Sequence, residues 1–366
     1  MLPRVLDTTK KRLAAGGVAV ALVAGGFAVA VAGGGDEAPP PTTEPPTTTT
    51  TEPPTTTTAT PLPIAPLTGQ LANEALIARP ALVVKIDNVE PRSRPQVGIN
   101  EADVVYEERV EGSVTRLLAA FHSTDSVPVG PVRSARTSDI AILSALNRPY
   151  FAWSGANPTF AARVRAADVV DVGYDVLGGE YFREPSRRAP YDLMLRSTAT
   201  IQARGAEGTA APRPLFTYRK PGQAVPHLEP VAGVRVTYGD SAGSAPVEYR
   251  WNGAGWARTQ AGTPHVDVGG VQVAPANVIV QFVDYAPTDV VDQFNTPIPE
   301  AQLVGEGEAW ILTGGGSAPA GLVPARWHKP TLDAITTYTD ADGKPVPLTP
   351  GRTWVALPSP GGATRL

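Results

Sequence analysis

Arginines at turns and element ends are the residues of this sequence best suited to binding chemistry. Arg133 and Arg136 stand three apart in GPVRSARTSD, residues 130–139, with Ser134 between them and the apolar run IAILSAL just beyond. Arg94, Arg116, Arg183 and Arg188 fall in comparable positions of the same half of the chain. A guanidinium offers a planar fork of donors matched to carboxylate or phosphate. A helix start already carries positive partial charge, so two cations placed there call for an anion. That anion is either a ligand or one of the chain's own acids, Glu107, Glu111 or Asp139. The first reading predicts an anion-binding cleft built from Arg94, Arg116, Arg133, Ser134, Arg136, Arg183 and Arg188, and takes Glu107 as the acid that offsets part of its charge.

Carboxylates offer a second chemistry. Glu101, Asp103, Glu107, Glu108 and Glu111 crowd one stretch, EADVVYEERVEG. In an extended strand Glu108 shares a side with Val104, Tyr106 and Val110, and Glu107 takes the other. An acid on an apolar face has a raised pKa, as a general acid requires, and a glycosidase needs two such groups. Glu107 and Glu108 are therefore the catalytic candidates, with a buried pairing to arginine as the alternative. Asp87 and Asn88, at the end of the apolar run ALVVKIDN, are further polar candidates. So are His265 and Asp267, which share a face if extended; a plain structural hydrogen bond explains that pair equally well. The four histidines are scattered, and no metal or cofactor motif is present, nor any nucleophile elbow, phosphate loop or dinucleotide fingerprint. No metal and no cofactor are expected.

The elements that position these groups follow from periodicity and turn chemistry. ALVVKIDN reads as a buried strand. ADVVYEERV and VTRLLAAFHS read as a hairpin joined at Glu111-Gly112-Ser113. TSDIAILSALN reads as a helix. NPTFAARVRAA reads as another, with Asn157 as N-cap and Pro158 at the first position. A third is expected within STATIQARG, closed by Gly205. Beyond residue 230 the runs are short and strand-like, and no helix is expected. The fold class is α+β: a mixed α/β N-terminal domain over 67–215, then a smaller, mostly-β C-terminal domain over 216–366.

What precedes residue 67 is not globular. A basic segment, 1–12, leads into an uncharged apolar run, 13–32, long enough to span a hydrocarbon core. It is read as an uncleaved anchor with the N-terminus in the cytoplasm; a cleaved signal peptide is the alternative, and both export the remainder. Residues 33–66 are a Pro/Thr-rich linker whose 39–66 portion, fully extended, reaches about 85 Å. A net charge of −4 gives no attraction to nucleic acid, and the absence of cysteine excludes disulfides and cysteine lipidation.

LVVKIDNVEPRSRPQVGINEADVVYEERVEGSVTRLLAAFHS, followed by VGPVRSARTSD, resembles the YerB-like family, bacterial proteins predicted to be lipoproteins and of unknown function. YFREPSRRAPYDLML, AWSGANPTF, HVDVGGVQVAPANVIVQF, ARWHKP and GRTWVALP are similar to later segments of that family. The resemblance spans residues 67–358 and implies an N-terminal and a C-terminal domain. Two departures stand out. Relatives are anchored through a lipidated cysteine that this chain lacks, and family histidines are replaced here by Tyr191, with Asp192 after it, and by Trp153. If those histidines are catalytic in relatives, that activity is missing here. The expectation is an exported, membrane-held protein that binds an anionic or sugar-containing envelope component, with a wall-polymer hydrolase or an envelope scaffold as the other readings. The sequence is silent on oligomeric state.

Overall fold

The structure is a computed structural model that describes residues 63–89, 91–239, 245–292, 294–315 and 318–366. The apolar run 13–32 and most of the linker lie outside the described residues. Among the described residues, no helix is long and apolar enough to cross a membrane.

A ten-stranded sheet organises the molecule. From one edge it runs Thr337–Thr339, Ala318–Lys329, Gly305–Gly315, Asn277–Gln281, Thr353–Leu357, Val104–Arg109, Thr115–Phe121, Leu82–Asp87, Tyr150–Ala152 and Val170–Asp171. The first five strands come from the C-terminal half and the last five from the N-terminal half. The seam is the parallel pair Thr353–Leu357 and Val104–Arg109, in register from Thr353 opposite Val104 to Leu357 opposite Glu108. The α+β class holds, and the two halves of the chain contribute to one continuous sheet. Thr353–Leu357 is buried at every residue, so it needs a neighbour on each side, and its N-terminal-half neighbour supplies one. A five-stranded sheet, Thr263–Pro264, Trp256–Gln260, Val247–Trp251, Gly233–Val236 and Ala363–Arg365, packs against one face of the large one.

Strand alternation divides the core between the faces. Leu82, Val84, Ile86 and Val105 meet Val234, Tyr249 and Trp256 of the smaller sheet. Val83, Val104 and Leu118 face the other way, against Ile142 and Leu143 of the helix Ser138–Leu143 and Val164 of the helix Pro158–Ala166. The second helix begins as its sequence dictates: Asn157 accepts from the Thr159 amide at 3.0 Å and Pro158 opens the first turn. The hairpin Val104–Arg109/Thr115–Phe121 turns at Glu111–Ser113, where Gly112 takes φ 69°. Thr198–Gln202 is the last helix among the described residues.

One element has no counterpart in the sequence reading. Tyr285–Val291 and Pro297–Ala301 form an isolated two-stranded hairpin, a finger that projects beside the helices. Its prolines, Pro287, Pro297 and Pro299, suit a pair of edge strands with no further neighbour.

Candidate functional site

Segment 130–136 places the two arginines. It lies along the end of Leu82–Asp87: the Asp87 amide donates to Pro131 O at 2.9 Å and the Arg133 amide to Lys85 O at 2.8 Å. On its other side Val132 donates to Leu193 O and Ser154 donates to Arg133 O. Held on both sides, the segment aims Arg133 and Arg136 off the sheet end. Arg116 reaches the same place from the neighbouring strand, opposite both Asp87 and Glu108.

Arg116, Arg133, Ser134 and Arg136 line one cavity of about 590 Å³, closed by Glu111, Ala156, Asn157 and Phe160 and by Val291, Asp292, Phe294 and Ile298 of the finger. Part of the charge is answered internally. Glu111 receives Arg136 through two bonds, one of 3.1 Å from Nε, and Asp87 receives Arg133 Nε at 2.5 Å. Arg116 is served least. Its nearest carboxylate oxygen is on Glu111 at 3.8 Å, one guanidinium nitrogen donates to Ser134 O at 3.4 Å, and Nε is buried without a partner. Burial, with Arg136 beside it, pulls the Arg116 guanidinium down to about 10. Burial pushes the Glu111 carboxyl up, but Arg136 and Arg116 more than offset this and hold it below the usual range.

The remaining sequence candidates lie elsewhere. Glu107 does not neutralise the arginine cluster; Glu111 and Asp87 do, because Glu107 points from the opposite face of its strand. There it is fully buried and takes Arg258 Nη2 at 2.8 and 2.9 Å, Thr115 Oγ1 at 2.9 Å, Asn88 Nδ2 at 3.1 Å and Trp354 Nε1 at 3.0 Å. Glu108, on the cavity side, is buried against Lys85 Nζ at 2.5 Å, and Lys85 also meets Asp139 at 2.6 Å. The two glutamates thus sit on opposite faces with no groove between them, so the two-carboxylate geometry of a glycosidase is absent at this pair. Arg94 is half-buried, and burial, together with Arg258, lowers it to about 10. Arg183 is exposed and bound to Asp192 at 2.8 Å, and Arg188 is exposed; neither lines the cavity. Tyr191 lies under Arg133, 5.8 Å from guanidinium carbon to ring centre, and Trp153 donates to Asp171 at 2.8 Å.

His265 and Asp267 do not act together. His265 is buried, with Nδ1 2.6 Å from Arg258 and Nε2 2.7 Å from Gln96 Oε1, while Asp267 accepts from Asn100 at 2.7 Å. Burial, then the Arg258 charge, holds His265 well below its ordinary pKa. In the unfolded chain the same imidazole takes a proton below about pH 6.5. Its contribution to stability is therefore present above that pH and lost as pH falls. Between about pH 7.5 and about 5.5 the unmodified protein should lose roughly 1–1.5 kcal/mol that His265→Gln does not lose. Urea titrations of both proteins at the two pH values measure the difference; a constant gap between them would contradict it. Burial also lowers His122, to about 4, but that residue is common to both proteins and cancels.

Sequence spacing missed one cluster of potential metal donors. His227 Nε2 lies 3.1 Å from Asp342 and 3.9 Å from Asp340, close enough to share a cation. The Asp340 Oδ1 is already taken by the Asp342 and Lys344 amides. The finger residues at the cavity were missed too; Phe294, an aromatic residue set in the polar turn between Asp292 and Asn295, was the available signal.

Fold and site together define a class: an α+β protein whose mixed N-terminal and β-rich C-terminal segments share one sheet, with an arginine-lined cavity at its end. Residues 67–210 match the family described as "Protein of unknown function (DUF3048) N-terminal domain", and residues 234–355 match that family's C-terminal domain. The chain belongs to this family, as its YerB-like motifs imply. It is 28% identical over 304 residues to "Putative lipoprotein YerB" of Bacillus subtilis (strain 168), covering 80% of this chain and 85% of that protein. The crystal structure of YerB from Bacillus subtilis has the same fold, with a TM-score of 0.69 at 24% identity, over 83% of this chain and 99% of that one.

Proposed function

We propose that the protein is an extracytoplasmic, membrane-held binding protein that takes an anionic or sugar-containing envelope component in the arginine cavity. The location is supported by the lipoprotein designation of the Bacillus subtilis relative and by the apolar run 13–32, which supplies an anchor in place of cysteine. Binding rather than hydrolysis is supported by the carboxylates that line the cavity. Glu111 is committed to Arg136, and Asp292 Oδ1 accepts the Phe294 and Thr296 amides of its own turn.

The observation that carries the reading is Arg116. It is 6% exposed at the wall of the cavity, with Nε unpartnered and its best carboxylate contact long. A buried cation without a close carboxylate costs stability, and an incoming anion repays that cost. Arg116→Met is the test. Glu111 keeps Arg136, so removal of Arg116 orphans no acid, and the melting temperature should hold or rise. Binding of inorganic phosphate and of fractionated anionic wall polymer should weaken about tenfold or more, which is about 1.4 kcal/mol. Unchanged binding with a stable fold would make Arg116 a structural residue and sink the proposal. Arg133→Ala and Arg136→Ala should also lose binding, but with lower stability, since Asp87 and Glu111 lose their partners.

A further inference from the structure

Opposite the arginines the cavity wall changes character. The finger contributes Val291, Phe294 and Ile298, and the helix Pro158–Ala166 contributes Phe160. The finger is braced rather than loose. Val290 and Ile298 pack with Phe160, and Arg163 of the helix holds Asp289 at 2.9 Å. At its base the Ala301 amide donates to Ser138 Oγ at 3.0 Å, and the Tyr285 hydroxyl donates to Leu357 O at 2.7 Å. At its tip Asp292 fixes the turn by accepting from the Phe294 amide at 2.8 Å and the Thr296 amide at 3.0 Å.

Yet the apolar tip is left in water. Phe294 is 77% exposed and Val291 is 44% exposed, both at the cavity that holds three arginines. An exposed aromatic face beside a few convergent donors is how small-molecule sites divide their labour: the polar groups orient the ligand and the apolar wall supplies area. Asp292 stands on the finger side as well, so a second negative group on the ligand would be repelled there.

We propose that the cavity is built for an amphipathic anion. A single phosphoryl or carboxylate head sits against Arg116, Arg133 and Arg136, and an uncharged ring-bearing body, an aromatic ring or the apolar face of a sugar, lies on Phe294 and Val291. This rests on the arginine reading of the site and adds what the rest of the ligand must be. The finger is then the specificity element, since the arginines alone do not discriminate among bodies that carry the same head.

Two matched pairs of probes separate the two layers of the argument: inorganic phosphate against phenyl phosphate, and acetate against benzoate, each titrated calorimetrically into the full-length chain. Within at least one pair the ring-bearing member should bind about tenfold more tightly, the scale expected from covering part of a phenyl ring; the pair that responds identifies the head. In Phe294→Ser the preference should fall below about twofold, with the melting temperature kept, because the side chain is exposed. Equal affinity within both pairs, or a preference that survives Phe294→Ser, would overturn the finger's role while leaving the arginine site standing. If no probe binds, the arginine reading fails and this inference fails with it.

Discussion

Arg258→Met should lower stability by about 3–5 kcal/mol. Arg258 and Glu107 are both fully buried and meet at 2.8 and 2.9 Å. Both have further partners: Glu107 also accepts from Thr115, Asn88 and Trp354, and Arg258 also meets His265 and Gln260 Oε1. The Trp354 ring centre lies 4.9 Å from the guanidinium carbon. Burial opposes the charge on Arg258, but Glu107 together with Tyr249 and Tyr238 more than offsets this, and the guanidinium holds its proton more tightly than in water. Methionine keeps the stem's volume and removes the charge, leaving a carboxylate in the core with only neutral donors. The network also joins three parts of the chain, the strands Val104–Arg109 and Thr353–Leu357 of the large sheet and Trp256–Gln260 of the small one, so its loss loosens one sheet from the other. Urea unfolding measures the effect. A loss under about 1 kcal/mol would mean that water or rearrangement reaches Glu107 and that the pair is not the clamp described. Glu107→Gln should fall in the same range, and the double variant should cost well under the sum of the two singles, since each single leaves an unmatched charge.

Local elements were legible in the sequence because their signals are local. The hairpin from Val104 to Phe121 follows from two alternating runs around Glu111-Gly112-Ser113, and the helix from Pro158 follows from Asn-Pro at its start. The face of each glutamate was legible as well, since strand alternation puts Glu107 and Glu108 on opposite sides. Their partners were not. Glu107 and Arg258 are 151 positions apart, and no periodicity relates them. Nor does periodicity say that the edge of Val104–Arg109 is completed by a strand near the end of the chain. The gathering of Arg116, Arg133 and Arg136 was half legible: Gly-Pro-Val-Arg-Ser-Ala-Arg signals a turn before a helix, but only the pairing of Ile86 with Val132 brings that turn to the end of the arginine-bearing sheet. Arg183 and Arg188 carried the same residue type in the same kind of position and ended outside the cavity. Residue type and turn context alone do not place a side chain, because placement depends on which strand edge the turn lies along.

Lys85→Met tests the support beneath the cavity, and its cost should depend on pH in a defined sense. Lys85, Glu108 and Asp139 are buried together, one cation between two acids, and Glu108 Oε2 has no partner. Burial already pushes Asp139 up to about 6 despite the pull of Lys85, with Glu108 adding to the rise. Without the ammonium two carboxylates face each other in the core, and they cannot both stay ionised. The folded state then holds a proton that the unfolded chain releases near its ordinary carboxylate pKa, so stability falls as pH rises above that range and returns as pH is lowered. Near neutral pH the substitution should cost about 3 kcal/mol or more. Near pH 5 a large part of that loss should be recovered relative to the unmodified protein, since one proton neutralises the pair. Asp139 also accepts the Arg136 amide at 2.8 Å, so the same substitution should disturb the cavity wall and weaken anion binding even where the fold survives. Paired unfolding curves at the two pH values decide it. A cost that is equal at both, or larger at the lower one, would mean that the acids find another cation and that Lys85 is not what holds them.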